Sequence, residues 1–167
     1  MEKMSNTFKA KIWKLNDDID TDIVLPTEYL ALKSVEDMKP YAFSPLRPEL
    51  AGKIQPGDMI VAGKNFGCGS SREQAPEVVK ALGISCVVAE SFARIFFRNA
   101  INNGLLLIEC PALHDAVSEG DVAEVTPGEK IVVNGQTFEI ASLPENLMDI
   151  LNAGGLVKAM RKRNGLD

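Results

Sequence analysis

The 167-residue sequence predicts an α/β fold with a parallel β-α-β-α-β core and a C-terminal β-hairpin. Three short apolar runs alternate with two helical patterns between residues 58 and 108, an order typical of parallel strands joined by right-handed crossovers. Further along, Asn134-Gly135 separates two apolar strands, and this dipeptide accepts the positive φ angles of a type I′ turn. The length suits one domain, which we expect to span residues 1–167.

Hydrophobic periodicity predicts the individual elements. Residues 7–14 alternate apolar and polar, which indicates a half-buried strand. Residues 26–56 contain five of the nine prolines and predict an extended, partly helical segment. The remaining predictions are strands at 58–62, 86–89, 105–108, 122–125, 131–133 and 137–140, and helices near 71–82, 92–102 and 144–163, the last broken at Gly154-Gly155.

The composition limits the classes of function. A net charge of −5 argues against a nucleic-acid partner, because phosphate binding requires a basic face. No run approaches the roughly 20 apolar residues that span a bilayer, and the N-terminus lacks a secretory pattern, so we expect a cytoplasmic protein without membrane contact. The single histidine, His114, is expected at the surface. Three widely spaced cysteines, Cys68, Cys86 and Cys110, indicate a reducing compartment, and we expect no metal site.

A glycine-rich loop between a predicted strand and a predicted helix is the strongest candidate site. It reads Gly63-Lys-Asn-Phe-Gly-Cys-Gly-Ser-Ser-Arg-Glu73. Glycines let a backbone approach a ligand closely, and a helix N-terminus attracts anions. Ser70 and Glu73 also match a capping box, so Ser70 is either an N-cap or a functional residue. Arg72 opposes the helix dipole, which favours an anion in front of it.

Three other functions fit this loop less well. A Walker A loop needs a lysine after its last glycine, whereas Ser70 follows Gly69. A dinucleotide-binding fingerprint needs a third glycine where Arg72 stands. A catalytic Cys68 needs a nearby base, and His114 is the only imidazole. A non-catalytic anion- or nucleotide-binding domain is the alternative from a different class of function.

Three blocks of the sequence resemble the small subunits of 3-isopropylmalate dehydratase, and thereby the mobile C-terminal domain of aconitase. They are residues 18–22, 65–73 and 91–105, in the order and spacing of that family. The resemblance covers roughly residues 8–140 and implies a swivelling β/β/α three-layer domain. It implies a hydro-lyase of leucine biosynthesis that interconverts 2-isopropylmalate and 3-isopropylmalate by dehydration and rehydration.

The resemblance also implies that the active enzyme consists of two different chains. This chain would be inactive alone and would join a large catalytic subunit, as a heterodimer or a heterotetramer. The large subunit would carry a four-iron–four-sulfur cluster that acts as a Lewis acid, while this chain would hold no cofactor. The substrate would be a small hydroxy-dicarboxylic acid.

The family's site residues carry over to five positions. Ser70 matches the catalytic serine that removes a proton next to a carboxylate. Arg72 matches an arginine that binds a substrate carboxylate, and Ser71 matches an auxiliary hydroxyl. Thr21 and Asp22 match an active-site pair.

The segment after that pair is expected to contact the variable substituent of the substrate. Relatives that accept a carboxylate there place an arginine after a Tyr-Leu pair, whereas Ala31 follows Tyr29-Leu30 here. An apolar wall of Leu30, Ala31 and Leu32 favours an isopropyl group over an unpaired carboxylate. Citramalate, dimethylmalate and homoaconitate are the alternative substrates, and an inward-folded Lys33 is the competing interpretation.

Several further residues are expected to have structural or solvent-exposed roles. Asp17 and Asp18 are expected in a solvated acidic turn. Trp13 is expected in the core or an interface. Arg94 and Arg98 share one helix face, where they are either solvated or at an interface, or else brace the glycine loop.

Overall fold

The computed structural model describes residues 7–70 and 72–142, together with Asp149. Its strands are β1 Phe8–Lys14, β2 Met59–Ala62, β3 Cys86–Ala89, β4 Leu106–Glu109, β5 Val122–Thr126, β6 Lys130–Val133 and β7 Gln136–Glu139. Its helices are α1 Thr21–Val24, α2 Val35–Met38, α3 Leu50–Lys53, α4 Gln74–Ala81, α5 Arg94–Asn102 and α6 Leu113–Ala116, with 3-10 turns at Thr27–Ala31 and Lys39–Tyr41.

The strands form a mixed seven-stranded sheet in the order β4-β3-β2-β1-β5-β6-β7. Strands β1 to β4 are parallel, and α4 and α5 supply the crossovers between β2, β3 and β4. Every residue of β2 and β3 is buried, which explains why the sequence of each is a continuous apolar run. The predicted β-α-β-α-β core is therefore confirmed.

Strand β1 joins this parallel half to an antiparallel half. It pairs parallel with β2 on one side and antiparallel with β5 on the other. Strands β5, β6 and β7 continue as an antiparallel meander. Asn134 and Gly135 have φ angles of 52° and 80°, so the predicted hairpin turn between β6 and β7 is confirmed.

The two faces of the sheet pack into two separate cores. In β2, Ile60 and Ala62 belong to the core beneath the helices, whereas Met59 and Val61 belong to the core on the other face. The second core also contains Val125 of β5 together with residues of β6. Because the two halves of the sheet share that core, the molecule has two β layers and one helical layer, as predicted.

The start of α4 differs from the prediction. The helix begins at Gln74 rather than near 71, and its N-cap is Glu73, whose side chain makes no capping hydrogen bond. The capping interpretation of Ser70 is therefore wrong. Pro76 gives the physical reason: it fits the first turn as observed, but in a helix beginning at 71 it would remove the hydrogen bond to the carbonyl of Arg72.

Other predictions meet mixed outcomes. Gly104 follows the C-cap of α5 with a φ of 83°, as the sequence predicts. His114 is not a free surface residue: it is half-buried, and its Nε2 lies 2.7 Å from the carbonyl oxygen of Leu15. The helix predicted near 144–163 lies outside the described residues. Among the helices within the described ranges, none is long and apolar enough to cross a membrane.

Candidate active site

The acidic turn after β1 and the glycine loop after β2 lie side by side at the carboxyl ends of these strands. The Asp17 carboxylate accepts a hydrogen bond from the Lys64 backbone N–H at 2.8 Å. The Asp18 carboxylate accepts one from the Asn65 side chain at 3.1 Å. Asp17 and Asp18 therefore hold the loop as well as facing solvent, and the carboxyl edge of parallel strands is a usual place for a ligand.

Thr21 fixes the backbone at Ser70. Thr21 is buried, with 2% of its surface exposed, and its backbone N–H donates to the Cys68 carbonyl at 2.8 Å. Its hydroxyl donates to the carbonyl of Ser70, also at 2.8 Å. Ser70 itself is exposed. The serine hydroxyl is thus presented to solvent from a backbone that is held by a buried partner.

Arg72 lies in a polar network with the Thr-Asp turn. Its Nη1 lies 2.6 Å from the Asp22 carboxylate and donates to the Leu25 carbonyl at 3.2 Å. Its Nη2 donates to the Thr27 hydroxyl at 2.9 Å. The Arg72 side chain is only 13% exposed, so this network fixes its orientation. Within the described residues, the Nε–H of Arg72 has no hydrogen-bond partner, so the guanidinium keeps a free donor for an anion such as a carboxylate.

The segment before α5 braces the glycine loop. The Ser91 hydroxyl accepts a hydrogen bond from the Asn65 backbone N–H at 2.8 Å. The Ser91 carbonyl accepts one from the Phe66 backbone N–H at 3.0 Å. Gly67 has a φ of 86°, and a Cβ there would overlap the ring of Phe96. Bracing thus belongs to Ser91 and Phe96 rather than to Arg94 or Arg98, a role that the sequence analysis missed.

These elements surround a cavity of about 230 Å³. Its lining comprises Thr21, Gly67, Gly69, Ser70, Arg72, Ala93, Arg94, Ile95, Phe96 and Asn99. The structure therefore brings Ser70, Arg72 and Thr21 together as the resemblance implied, and adds Arg94 and Asn99. The detectable signal for these two was position: their helix begins directly after the carboxyl end of β3, at the same edge of the sheet.

The other predicted site residues lie elsewhere. Among the described residues of the site, Asp22 contacts Arg72 and does not line the cavity, and Ser71 lies outside the described residues. Leu30 packs against the helical core, while Ala31 and Leu32 are exposed at the end of a 3-10 turn. None of these last three lines the cavity around Ser70.

A larger cavity of about 360 Å³ lies between α5 and β4. Its walls are mainly apolar, with Phe92, Phe97 and Ile108 among them and Arg94 and Glu109 as its charged residues. Its described lining residues include no hydroxyl or thiol that could act as a nucleophile, so the smaller cavity is the better candidate for chemistry.

The cysteines do not provide a nucleophile or a metal site. Burial, and then the nearby Asp20 and Asp18, raise the pKa of the Cys68 thiol, which keeps it protonated. Burial raises the pKa of Cys86 to about 12. Within residues 7–70 and 72–142, no group of three or more His, Cys, Asp or Glu residues could hold a metal ion. This part of the chain does not fit the cluster that the family implies.

The fold and the site together define a class of protein, the swivelling C-terminal domains of the aconitase type. Residues 15–113 match the aconitase C-terminal domain family. The chain is 75% identical to the 3-isopropylmalate dehydratase small subunit of Lachnospira eligens, covering 98% of this chain and 100% of that protein. The chain belongs to the family of 3-isopropylmalate dehydratase small subunits.

More distant relatives agree with this assignment. The chain is 48% identical to the isopropylmalate/citramalate isomerase small subunit of Methanocaldococcus jannaschii, over 96% of this chain and 97% of that protein. A crystal structure of 3-isopropylmalate dehydratase from M. jannaschii superposes with a TM-score of 0.90 at 39% identity, covering 96% of each chain. These matches confirm the family and the fold that the sequence motifs predicted.

Proposed function

We propose that this chain is the small subunit of a cytoplasmic hydro-lyase that interconverts 2-isopropylmalate and 3-isopropylmalate in leucine biosynthesis. It works with a large subunit that carries the four-iron–four-sulfur cluster. The names of its relatives support this activity. The observation that carries the proposal is the exposed Ser70, fixed through its carbonyl by buried Thr21 and lining one cavity with Arg72.

Ser70 moves the proton in this proposal. Dehydration moves a proton from the carbon next to one carboxylate onto Ser70 and expels hydroxide from the neighbouring carbon, which leaves a double bond in the substrate. Rehydration adds hydroxide to the carbon that lost the proton and a proton to the carbon that lost the hydroxyl. The Ser70 oxygen accepts the proton in the first step and donates it in the second. The guanidinium of Arg72 supplies the positive potential that favours the serine anion.

Arg72 also binds a substrate carboxylate in this proposal. Contacts with Asp22, Leu25 and Thr27 hold its guanidinium, so the free Nε–H keeps a fixed direction. A planar guanidinium suits a carboxylate better than the point charge of a lysine does. By its match to the family motif, Ser71 supplies an auxiliary hydroxyl.

The segment of Leu30, Ala31 and Leu32 selects the substituent of the substrate in the assembled enzyme. Its apolar residues favour isopropyl, and smaller alkyl groups such as that of citramalate differ by only about 1–3 kcal/mol for each methylene. The relative named for both isopropylmalate and citramalate supports this breadth. A second substrate carboxylate would remain unpaired there, which disfavours homoaconitate.

A substrate panel tests the proposal. The chain reconstituted with its large subunit should turn over isopropylmalate with the highest kcat/KM, citramalate less well and homoaconitate least. Ala31→Arg should raise the ratio of kcat/KM for homoaconitate to that for isopropylmalate, because it adds a partner for the extra carboxylate. Glu36→Arg, an exposed position on α2, is the matched control and should leave the ratio unchanged.

Two results would contradict these assignments. Equal ratios of kcat/KM for the two substrates in wild type and Ala31→Arg would mean that this segment does not contact the substituent. Binding of ATP or NAD by calorimetry, with no turnover of any hydroxy acid, would favour the non-catalytic nucleotide-binding alternative.

A further inference from the structure

We propose that Arg94, Ile95 and Arg98 form the docking surface for an acidic, partly apolar face of the large subunit. We call these three residues the α5 face. The inference rests on the proposed function only for the existence of that large subunit. It concerns how the two chains assemble rather than which reaction they carry out.

Helix geometry places the three residues together. At about 100° per residue, positions 94, 95 and 98 fall within one arc of about 100° on the helix surface. All three are exposed, whereas Phe96 and Ala100 on the opposite side are buried. The α5 face is thus a continuous exposed strip on a helix that is anchored by its other side.

The strip combines one exposed apolar side chain with two arginines. Ile95 keeps 53% of its surface exposed, which leaves a large apolar side chain in water. Burying such a side chain is favourable, so a partner that covers it gains affinity. Apolar and arginine side chains are typical of the centres of protein interfaces.

The charges on the strip suggest the character of the partner. Within the described residues, neither Arg94 nor Arg98 has an ion pair or a side-chain hydrogen bond, although the whole chain carries a net charge of −5. Arg94 also stands at the first position of α5, where a cation opposes the helix dipole. Two unpaired cations on an acidic protein are complementary to an acidic surface.

Continuity with the active site selects the large subunit among possible occupants. Arg94 and Ile95 line the same cavity as Ser70 and Arg72. In the proposed function the large subunit supplies the cluster that acts on the substrate beside Ser70, so that subunit must approach the mouth of this cavity. A subunit that closes the cavity must meet the α5 face at its rim.

The test measures the affinity of the purified large subunit for variants of this chain, by analytical ultracentrifugation or surface plasmon resonance. Ile95→Glu should weaken binding about 30-fold or more, the effect of losing a central interface residue. Arg98→Glu should weaken it about tenfold and reduce its salt dependence, while Arg98→Lys should retain most of the affinity. Val122→Glu is the matched control, since Val122 is 55% exposed on β5 and should change binding by less than about twofold.

Three results separate this proposal from its alternatives and from the proposed function. Wild-type affinity for both Ile95→Glu and Arg98→Glu, in variants that keep the native melting temperature, would overturn it. So would variants that change only the self-association of this chain, because the face would then bind a second copy. A pair that assembles through this face but turns over no hydroxy acid would refute the proposed function alone.

Discussion

At the scale of single residues, the hydroxyl of Thr21 is the contact on which the position of Ser70 depends. Thr21→Val keeps the shape of the side chain and removes the donor to the Ser70 carbonyl. That carbonyl belongs to an exposed residue and can bind water instead, so the free energy of unfolding should fall by only about 1 kcal/mol. The kcat of the reconstituted enzyme should fall about tenfold or more, with little change in KM, because a small displacement of Ser70 affects proton transfer most.

Thr21→Ser is the control for this prediction, since it restores the hydroxyl and should recover most of kcat. Urea unfolding of the isolated chain and steady-state kinetics of the complex measure the two effects separately. A normal kcat in Thr21→Val would mean that other contacts suffice to position Ser70.

Local sequence predicts some of these residues and not others. Ser70 and Arg72 stand in a motif whose residue types indicate a proton-transfer group and an anion-binding group. Both could therefore be identified from the sequence. Asn99 stands in no such motif; only the start of its helix at the carboxyl edge of the sheet points to it, because helical periodicity does not say which side chains face a cavity. Pro76 was a readable signal for the start of α4, and it outweighs the apparent capping box.

At the scale of elements, an ion pair joins the segment before α3 to the loop after α6. Arg47 donates two hydrogen bonds to the Glu119 carboxylate, at 2.7 and 3.1 Å, and its guanidinium lies 5.8 Å from the centre of the Trp13 ring. Hydrogen bonding from Arg47 is the main reason that the pKa of Glu119 lies below its ordinary value of 4.5. A carboxyl group whose pKa is lower in the folded than in the unfolded state stabilises the fold at pH values above its unfolded-state pKa. This stabilisation is lost as the pH falls through the folded-state pKa.

Glu119→Gln should therefore lower the free energy of unfolding at pH 7 by up to about 1 kcal/mol, a small value because both side chains are partly exposed. The difference from wild type should shrink towards zero as the pH falls from the unfolded-state value of about 4.3 through the lowered folded-state pKa, because the wild-type carboxylate then also becomes neutral. Urea unfolding at pH 7 and at pH 3 measures it. A difference that stays constant over this range would show that charge does not contribute.

Element boundaries were predictable where turn chemistry is explicit. The Asn134-Gly135 turn and Gly104 after α5 both require positive φ angles that their residue types provide. The pairing of β1 with both β2 and β5 was not predictable, because alternation identifies a half-buried strand without naming its neighbours.

At the scale of the whole molecule, the curled sheet places the candidate active-site residues at one edge and keeps the three cysteine thiols apart from one another. Cys86 and Cys110 are buried in the core between the two sheet halves, while Cys68 lies in the glycine loop. We expect the isolated chain to bind no stoichiometric iron and to turn over no isopropylmalate. Elemental analysis and an activity assay of the isolated chain check both. Stoichiometric iron in the isolated chain would refute the assignment of the cluster to the large subunit.

The most direct test of the account is the turnover of isopropylmalate by the complex reconstituted with Ser70→Ala. We expect kcat to fall by a factor on the order of 10²–10⁴, the usual contribution of a proton-transfer group, with subunit affinity and melting temperature unchanged. Ser118→Ala, at another exposed serine, should leave kcat unchanged. A folded and assembled Ser70→Ala enzyme with wild-type kcat would contradict the claim that Ser70 moves the proton.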